Sequence, residues 1–162
     1  MTAAHRAFLC LGANLGDPRA TLALAMSRLA GSELVIVRAS ALYETPPWGP
    51  VAQGVYLNQV VAVDTTLSPH ALLHRALEVE RQLGRDRTRE TRYGPRPIDI
   101  DILAFGDVHL ADAGLELPHP RLLERAFALV PLLEIAPDIT IGGVRAADAL
   151  AGLDQSGIVR LP

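Results

Sequence analysis

Two aspartates separated by one residue carry the first chemical signal. The segment Ile98-Asp99-Ile100-Asp101-Ile102 alternates apolar and acidic side chains. In a strand, alternate side chains share a face. Asp99 and Asp101 therefore point one way, and the three isoleucines point the other. Two carboxylates side by side repel, and burial raises their pKa values. A divalent cation removes that conflict. A small number of hard oxygen donors suits magnesium, with phosphate oxygens completing its shell. The alternative is a solvated strand face with two ordinary aspartates, and the segment alone leaves both readings open.

The second signal lies just upstream. Arg85, Arg87, Arg89, Arg92 and Arg96 crowd one polar stretch, opposed there only by Asp86 and Glu90. Guanidinium forks match phosphate oxygens two at a time. The chain contains no lysine. Any phosphate must therefore be held by arginine, histidine, backbone N–H groups or metal. Arginines beside a two-carboxylate metal site are what polyphosphate transfer needs, because developing charge must be offset. The competing reading is an exposed basic loop paired with Glu78 and Glu80.

A third group is Thr45-Pro46-Pro47-Trp48-Gly49, followed by Tyr56 and Asn58. Its prolines make a stiff loop that can hold backbone groups at fixed positions. Tyr56 and Asn58 share a strand face, offering a ring for stacking and an amide that donates and accepts. A flat heterocycle with amide-like edges fits; so does ordinary packing at the edge of the core. His119, set between Pro118 and Pro120, is either a donor to phosphate or a structural side chain. His5, His70, His74 and His109 show no metal-ligand spacing.

These groups need elements to position them. Ala7 to Leu11 reads as a buried strand that contains Cys10. It runs into Gly12-Ala13-Asn14-Leu15-Gly16, a turn lacking the lysine and hydroxyl of a P-loop. That turn is read as a tight connection, with a part in shaping the site left open. Asp17-Pro18 and Ser68-Pro69 are helix starts, and Gly31 and Gly84 are stops. Strands are expected at 34–43, 56–64 and 98–105, with a mobile loop at 85–97. Short helices are expected from about 122 to 135. The tail reads as a small strand, an Ala-rich helical turn and a last strand at 158–161. The order strand, helix, strand, strand, helix, strand is that of the ferredoxin-like α/β sandwich, an α+β fold with helices packed on one face of an antiparallel sheet.

Composition sets the outer bounds. The length of 162 residues fits one domain spanning 1–162, and an apolar share of 49% can fill a core. A net charge of −3 argues against general binding to nucleic acid or membrane surfaces. The single cysteine excludes an internal disulfide and a cysteine-rich metal site. No apolar run reaches the roughly 18 residues of a membrane span, and Met1 to Ala7 carry no secretory apolar region. A cytoplasmic monomer is the expectation.

Taken together, LGANLGD, YETPPWGP, YLNQVV, LGRDR, YGPRPIDIDIL and LPHPRLLERAFALVPLLEIAP resemble the 6-hydroxymethyl-7,8-dihydropterin pyrophosphokinase family. The resemblance covers almost the whole chain, and GPRPIDIDIL with LPHPR is its most specific part. It implies the ferredoxin-like fold and transfer of diphosphate from ATP to the pterin hydroxymethyl group, with AMP released. It also implies two magnesium ions. Asp99 and Asp101 would bind both ions. Thr45, Pro46, Trp48, Tyr56, Asn58 and Phe127 would line the pterin pocket, with Tyr56 and Phe127 stacking on the ring. Arg85, Arg87, Arg92, Arg96, Ile102, His119, Arg121 and Arg125 would surround ATP, with Glu80 close by, and Arg85 and Arg96 would serve the transfer itself. Tyr93 stands where enterobacterial members carry tryptophan, and Trp48 where they carry leucine. Two other classes compete: a ferredoxin-like RNA-binding module and a catalytically silent nucleotide-binding domain.

Overall fold

The computed structural model describes residues 3–162. Met1 and Thr2, part of the N-terminal stretch read above, lie outside the described residues.

Helix punctuation works as local chemistry demands. The Asp17 carboxylate accepts from the Ala20 N–H at 3.2 Å and starts α1, Pro18–Leu29. The Ser68 hydroxyl accepts from the Ala71 N–H at 3.1 Å and starts α2, Pro69–Gln82. Each satisfies one of the backbone donors orphaned at a helix start. Proline at the first helical position gives up no bond that the helix needs.

Strand β1, His5–Ala13, is an inner strand of the sheet. On one side it pairs with β4, Tyr56–Thr65, and on the other with β5, Asp99–Phe105, both antiparallel. The expected strand at 34–43 is two pieces: β2, Leu34–Ala39, and β3, Tyr43–Thr45. Both pair with β4. The break at Ser40 is satisfied across the sheet, since its hydroxyl accepts from the Val60 N–H at 3.0 Å. The last strand, β10, Val159–Arg160, extends the sheet beyond β3. This is the expected ferredoxin-like order.

Two features go beyond the expectation. The segment after β5 folds as a hairpin of β6, Leu110–Asp112, and β7, Leu115–Leu117. The sheet is also covered on both faces. Leu9, Leu11, Val61, Ile98, Ile100 and Ile102 pack against Leu22 and Leu29 of α1 and Leu72 and Val79 of α2. Cys10, Val60, Ala62 and Leu103 pack on the opposite face against Leu129, Leu132 and Ile135 of α3, Ala126–Ile135. Two small elements follow α3: the hairpin β8–β9 over 140–145 and α4, Ala146–Ala151. Each fully buried leucine contributes roughly 2 kcal/mol through apolar burial. Among the described residues no helix is long and apolar enough to cross a membrane.

Glu134 on α3 ties the second helical layer to the sheet. Its carboxylate accepts from the Tyr43 hydroxyl, from the Ala41 N–H at 2.8 Å, and from Arg160 Nε at 3.3 Å. The neighbouring donors hold Glu134 below the usual carboxylate range, against a desolvation cost that acts the other way. Replacing Glu134 by alanine strands the Ala41 N–H and the Tyr43 hydroxyl. The variant should lose about 1–3 kcal/mol of stability, read as a lower urea midpoint with unchanged slope. A midpoint equal to wild type would refute this role.

Candidate active site

The second helical layer stops short, and the site lies where it stops. The apolar face beneath α3 ends at Cys10 and Val60. Beyond them the same sheet face opens into a cleft of about 430 Å³. Its floor is set by strand register. Gly12 lies between Asn58 on β4 and Asp99 on β5; Cys10 lies between Val60 and Asp101. Asp99 and Asp101 are half-exposed, while Ile98, Ile100 and Ile102 are buried in the opposite layer. The alternation read from the sequence therefore turns both carboxylates toward the cleft.

Gly12 is a sequence position whose role was left open. A Cβ there would collide with Asn58 Oδ1. Glycine thus keeps the floor flat between Asn58 and Asp99. The Asn58 amide is fixed by donating to the Thr45 hydroxyl, and both residues are buried. Tyr56 donates its hydroxyl to the Gly94 carbonyl at 2.9 Å, so its ring is fixed at the cleft wall. Cys10 touches Asn58 Oδ1 at 3.9 Å. Burial pushes its thiol pKa up, assisted by Asp101 and Asp99, so it stays protonated and is no nucleophile.

Cations ring the acidic strand. Arg85 is buried and bonded to three carboxylates. Its Nη1 reaches Glu80 and Asp99, each at 2.9 Å, and its Nε and Nη2 grip Glu90 at 2.6 and 3.0 Å. Burial opposes its charge, but Glu90, Asp99 and Glu80 outweigh burial and raise its pKa. Glu80 is buried too; burial raises its pKa, while Arg85, Arg87 and the Ile100 N–H hold it as a carboxylate acceptor. Arg96 approaches Asp99 at 3.4 Å and Arg125 approaches Asp101 at 3.7 Å. Burial, then the Asp99 charge, raises the Asp101 pKa despite Arg125. A carboxylate that its surroundings make hard to ionise is one that a divalent cation would satisfy. Two adjacent hard donors, open to the cleft, fit magnesium with phosphate partners. Among the described residues no cluster of three or more His, Cys, Asp or Glu that could hold a metal ion is present, so Asp99 and Asp101 would rely on ligands from outside the protein.

His119 is half-buried at the cleft edge. Its Nδ1 accepts from the Arg121 N–H at 3.2 Å, which leaves Nε2 to carry the proton. Burial, then Arg125, pushes its pKa down to about 4, so the ring is neutral at pH 7. Trp48 is flanked by Arg125 at 4.7 Å and Arg121 at 5.3 Å from its ring centre, with Tyr93 edge-on at 5.4 Å. Arg125 also lies 5.6 Å from the Phe127 ring. Its Nε is buried without a hydrogen-bond partner.

Most residues named from the sequence meet here. Thr45, Pro46, Trp48, Tyr56, Asn58, Arg85, Arg87, Arg92, Arg96, Asp99, Asp101, His119, Arg125 and Phe127 line the cleft. Glu80 sits behind it, under Arg85 and Arg87, and Arg121 joins it through Trp48. Ile102 differs, because its side chain is packed with α1 and α2 on the opposite face. Only its backbone remains for a nucleotide contact. Gly12, Glu90 and Tyr93 line the cleft without having been singled out as site residues. Gly12 was findable only as part of the strand-to-turn segment whose part in the site the sequence left open.

The chain is similar to known proteins along most of its length. The family model for 7,8-dihydro-6-hydroxymethylpterin-pyrophosphokinase (HPPK) matches residues 8–137. A 2-amino-4-hydroxy-6-hydroxymethyldihydropteridine pyrophosphokinase of Methylorubrum extorquens is 52% identical over 157 residues, covering 96% of this chain and 98% of its own. The enzyme of that name in Pseudomonas aeruginosa is 40% identical over 162 residues, covering 98% of each chain. Among solved structures, a Plasmodium falciparum HPPK-DHPS chain superposes with a TM-score of 0.70 at 17% identity. That match covers 93% of this chain and 46% of the other, and it speaks for the fold alone. With its model matched over most of the length and relatives this similar end to end, the chain belongs to the 7,8-dihydro-6-hydroxymethylpterin-pyrophosphokinase family.

Proposed function

We propose that this cleft transfers the diphosphate group of ATP to the hydroxymethyl oxygen of 6-hydroxymethyl-7,8-dihydropterin, releasing AMP, in folate biosynthesis. The observation that carries the reading is the same-face pair Asp99 and Asp101, ringed by Arg85, Arg96 and Arg125 in one cleft. The hydroxymethyl oxygen attacks the β-phosphorus. The bond from that phosphorus to the α,β-bridging oxygen breaks, AMP leaves with that oxygen, and the hydroxyl proton passes to solvent. Asp99 and Asp101 would hold magnesium, two ions in the complete complex, which supplies charge neutralisation to the triphosphate.

The remaining work is positioning and electrostatics, which dominate phosphoryl transfer. Tyr56 and Phe127 stack on the pterin, Asn58 and Thr45 read its amide edge, and Pro46 and Trp48 close over it. Arg85, Arg87, Arg92, Arg96, Arg121 and Arg125 face the phosphates. Arg85 and Arg96 are the groups assigned to the transferring diphosphate. His119 donates from Nε2 without adding charge. Glu80 acts through Arg85 and Arg87, and Ile102 through its backbone. The chain works as a single domain over 1–162 and as a monomer in the cytoplasm, with neither nucleic acid nor membrane as partner.

The direct test mixes the protein with ATP, magnesium and the hydroxymethyl pterin. AMP is the expected product; ADP would point to an ordinary kinase. Asp99→Ala or Asp101→Ala should each lower kcat/KM by about a hundredfold or more while the fold survives. Wild-type turnover in either variant would end the metal assignment.

A second check concerns His119. Its depressed pKa stabilises the fold above the unfolded value near 6.5, and that contribution is lost as pH falls through about 4. In an NMR titration the His119 ring should keep its neutral chemical shift from pH 8 to pH 5. A midpoint near 6.5 for His119 would contradict the neutral-donor role.

A further inference from the structure

Trp48 is half-buried at the cleft, and one indole there serves two cations. The Arg125 guanidinium lies 4.7 Å from the ring centre and that of Arg121 5.3 Å. A guanidinium within about 6 Å of an aromatic ring is drawn to the ring quadrupole, and tryptophan is the best partner of this kind. An arginine side chain is long and has many rotamers, so a ring contact narrows where its fork can lie.

The other contacts of these two arginines are looser. Arg125 approaches its carboxylate, Asp101, only to 3.7 Å, and its Nε is buried without a hydrogen-bond partner. Arg121 is tied by its backbone, whose N–H donates to His119 Nδ1 at 3.2 Å, a bond that leaves its side chain to be placed by something else. The contrast with Arg85 is chemical. Glu80, Glu90 and Asp99 hold Arg85 by taking its N–H donors and offsetting its charge. An indole ring takes no N–H donor and cancels no charge, so both remain for an incoming anion. A buried N–H without a partner is costly, and a phosphate oxygen that reached Arg125 Nε would recover that cost.

We propose that Trp48 is a positioning residue for Arg121 and Arg125: beyond closing over the pterin, its ring holds both guanidinium groups in place for the polyphosphate with their charge intact. Preset guanidinium groups bind a phosphate with less loss of side-chain freedom, which is where the affinity comes from. The inference rests on the diphosphotransferase reading, which supplies the polyphosphate. A residue that only walled the pterin would not affect a nucleotide bound alone, and this separates the two roles.

Calorimetry with magnesium and α,β-methylene-ATP, in the absence of any pterin, tests this. Trp48→Leu keeps an apolar side chain but loses the ring, and it should weaken binding of the analogue by about tenfold. Trp48→Phe restores a ring face and should stay within about threefold of wild type. In an Arg121→Ala background the effect of Trp48→Leu should shrink to about threefold, because only Arg125 is left on the ring. Trp48 is the single tryptophan of the chain. Wild-type emission therefore reads the cluster directly, and it decides the matter even where a variant fails to fold: saturation with the analogue should shift it. Undiminished affinity in folded Trp48→Leu, equal losses in Trp48→Phe and Trp48→Leu, a full effect in the Arg121→Ala background, or emission unmoved at saturation each overturns the proposal. AMP formation from ATP and the hydroxymethyl pterin by the wild type would still uphold the reaction, so the two failures are told apart.

Discussion

Like charges on adjacent positions of one strand face are the constraint from which the rest of this site follows. Asp99 and Asp101 project from β5 on the side that α3 leaves uncovered. Their repulsion acts on a strand face that is only partly exposed. The fold answers with guanidinium groups from two directions. Arg85 and Arg96 come from the loop before β5, and Arg125 comes from the start of α3. The arginine-rich loop is thereby folded around the acid pair. Asp99 is bonded twice, whereas Asp101 has one distant arginine and a raised pKa. The unequal treatment leaves an appetite for positive charge in the cleft.

How much of this could be read in advance depended on how local each cause was. Helix starts at Asp17 and Ser68 are nearest-neighbour chemistry, and the structure places both caps as expected. The facing of Asp99 and Asp101 follows from a two-residue period, and it too was legible. The break in the 34–43 strand was not, because the Ser40 hydroxyl acts on Val60, a residue twenty positions away. The second helical layer was hidden because α3 is apolar nearly all round, so its sequence names no face. Ile102 shows the limit of assigning roles by resemblance, since strand parity sends its side chain away from the site. Asn14 lies in the glycine-bounded turn whose part in the site the sequence left open. Its hydrogen-bond partners are 39 and 82 residues away, and no spacing rule encodes them.

The arginines of the cleft divide into two kinds, and the division bears on how a phosphate can be held. Arg87 and Arg92 are exposed, and each presents guanidinium surface to the cleft. Arg85 is buried with its nitrogens committed to Glu80, Glu90 and Asp99. An incoming phosphate can meet the water-facing nitrogens of the exposed pair, while Arg87 Nη2 is held by Glu80 and Arg92 Nη2 by the Tyr93 hydroxyl. It can gain the Nε and Nη2 edge of Arg85 only by displacing the Glu90 carboxylate, an exchange of one bidentate anion for another. Such an exchange requires no new burial of charge, so its net energy is small even though each bond is strong. Glu80 has no such freedom, because it also accepts from the Ile100 N–H within the sheet edge. Glu80 and Arg85 thus form a buried frame tied to the sheet through Ile100, whereas Glu90 reaches Arg85 from the loop and lies at the cleft.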